Sequence, residues 1–195
     1  MSTKADTQRL TGQVLDFWFA DPDGTSPAAQ RPFWFKSTAE IDAGIRERFQ
    51  DTLEQAAAGT FDPDIETADD HLAIILILDQ FPRHMFRGTA RAFATDPLAR
   101  HWAGKAIARG LDHKQAAPYR RMFFYLPFEH SETLADQNEA VRLFEKMGYD
   151  DLTAMSRAHR EVIEKYGRFP HRNAALERVS TPDEEIYLSR PGAGF

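Results

Sequence analysis

Residues 72–83, LAIILILDQFPR, decide how the rest of the chain is read. Seven consecutive apolar side chains, residues 72–78, end abruptly in Asp79, Gln80, a Phe81-Pro82 pair and Arg83. A run with no polar side needs cover all round, so it belongs in the middle of a core. Periodicity alone does not separate a buried helix from a buried strand. Two further features choose the helix. Asp69 and Asp70 precede the run, where a helix dipole favours acids, and no alternating strand pattern occurs elsewhere in the sequence. Pro82 disfavours the α conformation at Phe81, so the helix is expected to stop there and the chain to restart at a new angle. Residues 83–87 would then form a short turn closed by Gly88. An acid, an amide and a guanidinium leaving the most apolar stretch demand polar partners, because unpaired buried charge costs several kcal/mol.

Working outward, the same spacing gives helices on both sides. Leu10, Val14, Phe17 and Trp18 mark a first helix over residues 8–19. DPDGTSP at residues 21–27 is turn chemistry. Of the Phe33-Trp34-Phe35 cluster that follows, at least one ring is expected to pin this loop to the body. Ser37-Thr38-Ala39-Glu40 reads as a capping box with Ser37 as the cap, followed by Ile41, Ile45, Phe49 and Leu53 and stopped at Gly59.

On the C-terminal side, Thr95-Asp96-Pro97 reads as an N-cap with proline at the first helical position. Leu98, Trp102 and Ile107 are expected to face inward there. Pro118 opens an aromatic helix holding Tyr119, Phe123, Phe124 and Leu126, which Pro127 is expected to break. Leu134, Val141, Phe144 and Met147 mark another helix, closed by Gly148. Asp150 or Asp151 should cap the next, with Leu152, Met155, His159, Val162 or Ile163 and Tyr166 facing inward. Thr181-Pro182-Asp183-Glu184 makes a second capping box for a short helix with Ile186 and Leu188. The expected fold is all-α, one domain over residues 1–195, with roughly eight to ten helices joined by short proline and glycine turns.

At 195 residues the chain is long enough to bury a real core without disulfides or metals. The absence of cysteine excludes a disulfide framework, a thiol nucleophile and a cysteine zinc site. MSTKADTQRL has no apolar signal core, and the longest apolar run is far short of a membrane span, so a cytoplasmic protein is expected. A net charge of -6 and a pI near 5.6 argue against general nucleic-acid binding. Charge is nevertheless segregated: residues 37–80 hold eleven acids against two arginines, and residues 83–121 hold nine basic residues against two aspartates. Either basic helices pack beside acidic ones with solvated faces outward, or a local positive field gathers anionic ligands. Of the 24 basic residues 18 are arginine, which favours fixed, bidentate recognition.

Three proline corners place polar groups at helix ends: Asp79, Gln80 and Arg83; Glu129 and His130; His171, Arg172 and Asn173. His159, the one histidine in an apolar stripe, could join them if neighbouring helices bring the corners to one end of a bundle. That inventory suits an anion pocket, with arginine for a carboxylate or phosphate, Gln80 and Asn173 for orientation and a histidine to move a proton. Plainer roles stand beside it. Asp79 and Arg83 could pair with each other or cap helix ends, His159 could be a core histidine bonded to one carbonyl, and His130 and His171 could cap turns. No metal or cofactor is expected. There is no H-E-x-x-H and no pair of histidines at i and i+4, no Gly-rich phosphate loop of either familiar type, and no serine-hydrolase elbow.

The longer quoted stretches resemble a bacterial family of unknown function, domain number 924. They are VLDFWF (14–19), LDQFPRHMFRGTARAFATDPLA (78–99), MFFYLPFEHSE (122–132), RFPHRN (168–173) and the Ser-Thr-Pro-x-Glu-Glu tail (180–185). The resemblance implies a helical fold similar to tetratricopeptide-like superhelices and carries no established activity. Its motif positions fall on Asp79, Gln80, Phe81, Pro82 and Arg83, on Glu129, His130 and Ser131, and on residues 169–173. His84 stands where the family pattern leads one to expect asparagine, and it is left out of the candidate site.

Two readings follow. In the first, the polar corners converge and bind a small anionic metabolite, with acid-base chemistry by His130, His159 or His171. In the second, tetratricopeptide-like helix pairs form a groove for a peptide or protein partner and do no chemistry. Neither involves nucleic acid or a membrane.

Overall fold

The structure, a computed structural model, describes residues 3–20, 30–115 and 117–194; the turn expected at residues 21–27 lies outside them. Among the described residues all regular structure is helical, with no strand. The helices are α1 Lys4–Phe19, α2 Ala39–Ala57, α3 Ala68–Ile75, α4 Phe81–Met85, α5 Asp96–Ala108, α6 Pro118–Glu129, α7 Leu134–Met147, α8 Asp150–Tyr166 and α9 Pro182–Leu188. The fold class is all-α, and none of these helices is long and apolar enough to cross a membrane. The backbone groups into two compact units, Met1–Arg87 with Arg91–Pro127, and Gly88–Ala90 with Phe128–Phe195. Each is described in turn.

In the first unit the apolar run is the centre of the core, with residues 72–78 all 0–2% exposed. Thr67 starts α3 through a capping box with Asp70, and α1 and α5 pack against the helix. Pro82 does not stop it, contrary to expectation. Phe81 is helical, and the chain passes from α3 into α4 through a π-turn, Leu76–Gln80, in which the Phe81 amide bonds to the Leu76 carbonyl. The wider turn accommodates what a proline ring would otherwise disrupt. Pro82 has no N–H to offer the Leu78 carbonyl, and the Thr95 hydroxyl donates to that carbonyl instead. This use of Thr95 also explains why its side chain makes no cap bond to α5.

Other expectations shift by a residue or a face. α1 begins earlier, at a capping box between Thr3 and Asp6. α2 is capped by Thr38, not Ser37, since the Thr38 hydroxyl accepts the Ile41 amide. Of the Phe33-Trp34-Phe35 cluster, Trp34 is the buried ring: it stacks on Trp18 and donates its indole N–H to the Trp18 carbonyl at 3.1 Å. α5 turns Ala99, Trp102, Ala103 and Ala106 inward and leaves Leu98 exposed, because a face of alanines lets it approach α3 closely. Pro127 lies inside α6, which runs two residues past it.

The second unit is built on α7 and α8, which pack against each other. Both end in left-handed glycines, Gly148 (φ 78°) and Gly167 (φ 69°), a conformation that costs glycine little. Tyr149 occupies the cap position of α8, and Asp150 and Asp151 fall in its first turn. The buried face of α8 is Thr153, Ser156, His159, Val162 and Ile163, while Met155, expected inside, is exposed. One apolar cluster of the unit is Val162, Ile163 and Phe169 with Tyr166 and Tyr187 against it, and α7 buries Ala140, Val141, Leu143 and Phe144 as well. The Thr181–Glu184 capping box of α9 forms as expected.

Candidate functional site

The polar exit from the first core is tied up within its own unit. Arg83 grips Asp96 with both terminal nitrogens, at 2.8 and 2.9 Å, and donates to the Asp79 carbonyl. The Asp79 carboxylate lies 3.4 Å from the same guanidinium and accepts the Gln80 amide on its other oxygen. Asp79 is fully buried and Asp96 nearly so. Burial disfavours the Arg83 charge, but Asp79 and Asp96 outweigh it and raise its pKa. The acid–arginine pairing anticipated for Asp79 and Arg83 is present, with Asp96 as the stronger partner. Sequence reading missed Asp96 by assigning it to a helix start.

Charge segregation resolves in the same way inside this unit. His84 and Arg87 bond to Asp42, Arg91 to Glu54 and Arg120 to Asp69, joining the basic segment to the acidic one. A cleft of about 320 Å³ beside α1 and α2, lined by Arg9, Gln13, Thr52 and Gln55 among others, contains none of the predicted site residues.

The second unit gathers the other six: Glu129, His130, His159, His171, Arg172 and Asn173. Phe169, wholly buried, is the hub. The His159 ring meets it edge-on at 5.7 Å, the His171 ring lies 5.5 Å away, and the Arg172 guanidinium sits 4.7 Å over its face. Arg172 donates to the His130 carbonyl at 2.9 Å. His159 holds the Met155 carbonyl through Nδ1 at 2.9 Å, with Glu129 Oε1 3.7 Å from the same nitrogen. Burial lowers the His159 pKa; the Met155 bond opposes this, the nearby His130, His171 and Arg172 reinforce it, and the result is about 3. The imidazole is therefore neutral at pH 7, and the Met155 bond places its proton on Nδ1.

Residues absent from the sequence inventory hold this arrangement in place. Glu132 accepts the Phe169 amide at 2.8 Å and pairs with Arg178 through both oxygens. Glu184, almost fully buried at the start of α9, takes Arg168 at 2.7 and 2.8 Å and the Asn173 amide at 3.3 Å. Both ends of the 169–173 turn are thus anchored by carboxylates. Gln137, fully buried, donates to the Glu129 and Ser131 carbonyls at 2.6 Å each and fixes the end of α6. Its position on one face with Val141 and Phe144 was the signal available for it: a lone amide at helical spacing in an apolar stripe. Among the described residues no three acidic or histidine side chains are placed to hold a metal ion.

Known proteins give the chain a family without an activity. It is similar to a protein of unknown function from Agrobacterium tumefaciens whose structure is solved: 43% identity, TM-score 0.83, covering 94% of this chain and 99% of that one. Comparison with curated proteins returned no match. A family described as "Bacterial protein of unknown function (DUF924)" matches residues 14–192, which takes in both polar clusters, and the chain belongs to that family.

Proposed function

We propose that the second unit binds a small anion at the His130, His159, His171 and Arg172 cluster. The observation that carries this reading is the convergence of two imidazoles, His159 and His171, and the Arg172 guanidinium around one buried ring, with His130 near enough to depress the His159 pKa further. Arginine supplies a fixed fork for a carboxylate or phosphate, and a nearby anion would raise the pKa of every histidine it faces. Acid-base chemistry, if the bound molecule undergoes any, falls to His130, His171 or Glu129. A histidine with a pKa of about 3 is far from the value that suits proton transfer at neutral pH. Arg83, held by Asp96, is a structural partner in this reading and not a ligand group. The tetratricopeptide-like docking alternative draws on no comparable cluster among the described residues.

Thermal unfolding against inorganic phosphate, acetate and citrate tests the proposal. An anion at about a hundred times its dissociation constant adds about 2.7 kcal/mol of stability. The expected result is a rise in melting temperature that Arg172→Gln abolishes, with circular dichroism confirming that the variant is folded. No rise with any of the anions, or one that survives Arg172→Gln, would sink the proposal.

A further inference from the structure

The cleft beside α1 and α2 lies wholly within the first unit and is lined by side chains of one chemical kind. Gln13 comes from α1, and Thr52 and Gln55, one turn apart, from α2. Gly59 then turns the chain in the left-handed conformation (φ 73°), which brings Thr60 to the same cleft. That turn is bonded, with the Gly59 amide donating to the Ala56 carbonyl and the Thr60 amide to the Gln55 carbonyl, each at 3.0 Å. Two helices and a bonded turn therefore hold the lining in place.

These four polar side chains all face the cleft, and none of them makes a hydrogen bond among the described residues. Two carboxamides and two hydroxyls offer donors and acceptors alike. Charge is balanced: the lining holds one cation and one anion, Arg9 and Asp6, which pair with each other at 2.9 Å. Leu10 and Phe61 complete the lining, and both are buried. A neutral set of mixed donors and acceptors beside an apolar surface matches a molecule that is itself neutral, rich in hydroxyls and apolar on its C–H face. The volume of about 320 Å³ is near the lower end of the range for ligand pockets, about 300–1,000 Å³, and suits a small molecule.

We infer that this cleft binds a neutral monosaccharide, with the Gln13 and Gln55 amides and the Thr52 and Thr60 hydroxyls bonding to its hydroxyl groups and its C–H face against Phe61 and Leu10. The site is independent of the anion site proposed for the second unit, and either can stand without the other.

Titration with glucose, galactose and ribose, followed through the side-chain amide signals of Gln13 and Gln55 by proton–nitrogen NMR, tests the inference. At least one sugar should move both pairs of signals in a saturable way. Gln13→Ala and Gln55→Ala should each weaken that binding about fivefold, the loss of one net hydrogen bond. Gln8→Ala, an exposed α1 glutamine outside the lining, should leave it unchanged. Unchanged circular dichroism would show that the variants are folded, as expected for exposed side chains without partners among the described residues. No saturable shift with any of the three sugars would overturn the inference. So would undiminished binding in both lining variants, or inorganic phosphate moving the same signals at lower concentration than any sugar, which would make the cleft an ion site.

Discussion

Each unit buries polar groups of two kinds, some closed on one another and some with an atom left unbonded among the described residues: Thr7, Trp18, His71 and Asp112 in the first, Gln137, Ser156 and Asn173 in the second. In the first, Asp79, Gln80, Arg83 and Asp96 close on one another beneath a large apolar core, and the acidic and basic segments pair across their surfaces. In the second, Ala140, Val141, Leu143 and Phe144 of α7 are buried together with Val162, Ile163 and Phe169, and several polar side chains, Glu129, Gln137, Arg172, Asn173 and Glu184 among them, are buried in the same unit. Some of these, Glu132 with Arg178 and Glu184 with Arg168, are paired as tightly as anything in the first unit. Others, including the Gln137, Ser156 and Asn173 oxygens, have no partner among the described residues. A charged motif next to a core is therefore a poor guide to function by itself.

The comparison is easiest to break at Arg83. Arg83→Ala would strand two carboxylates in a buried setting, and removing one partner of a buried pair costs about 3–5 kcal/mol. Urea unfolding should show that loss, while any stabilisation by phosphate remains as large as in wild type. A phosphate effect lost in Arg83→Ala would move the site to the first unit. Thr95→Val should cost less, about 1–3 kcal/mol, by leaving the Leu78 carbonyl without its hydroxyl donor. A neutral result would mean that the π-turn needs no such donor.

Titration sharpens the contrast. His159 falls from 6.5 in its ordinary state to about 3 in the fold. Between those values the unfolded chain binds a proton that the folded chain does not, so stability rises with pH. This contribution is intact above about pH 6.5 and lost as the pH drops toward 3. Urea midpoints for His159→Gln should fall less steeply than for wild type over that window. Glu184 acts lower on the scale. Arg168 leads in holding it at about 2 against an ordinary 4.5, and Glu184→Gln should flatten the profile only between those values. Identical profiles for wild type and either variant would contradict the corresponding assignment.

Much of the architecture was legible in the sequence because periodicity, caps and glycines are local. The central run with its acidic first turn, the Thr181 start and the Gly148 stop all lie within a few residues of their signals. Pro82 was misread because its compensation is not local: the carbonyl it leaves free is met by Thr95, thirteen residues further on. Inward faces failed at Leu98 and Met155 for another reason. Weighting by hydrophobicity picks the larger side chain, whereas α5 packs through alanines and α8 through Thr153 and Ser156. As for the candidate site, the types of residue at the corners were readable. Their division between two units depends on packing that no short motif records, as does the supporting role of Glu132, Gln137 and Glu184.

The most direct test of the central claim is to follow all seven histidines by proton NMR during titration with inorganic phosphate. The ring signals of His130, His159 and His171 should move together in a saturable way and shift toward higher pKa, while His71 and His84, buried in the first unit, should stay where they are. If phosphate moved only the exposed His101 and His113, or moved no histidine in the second unit, the claim that this unit holds an anion site would be wrong.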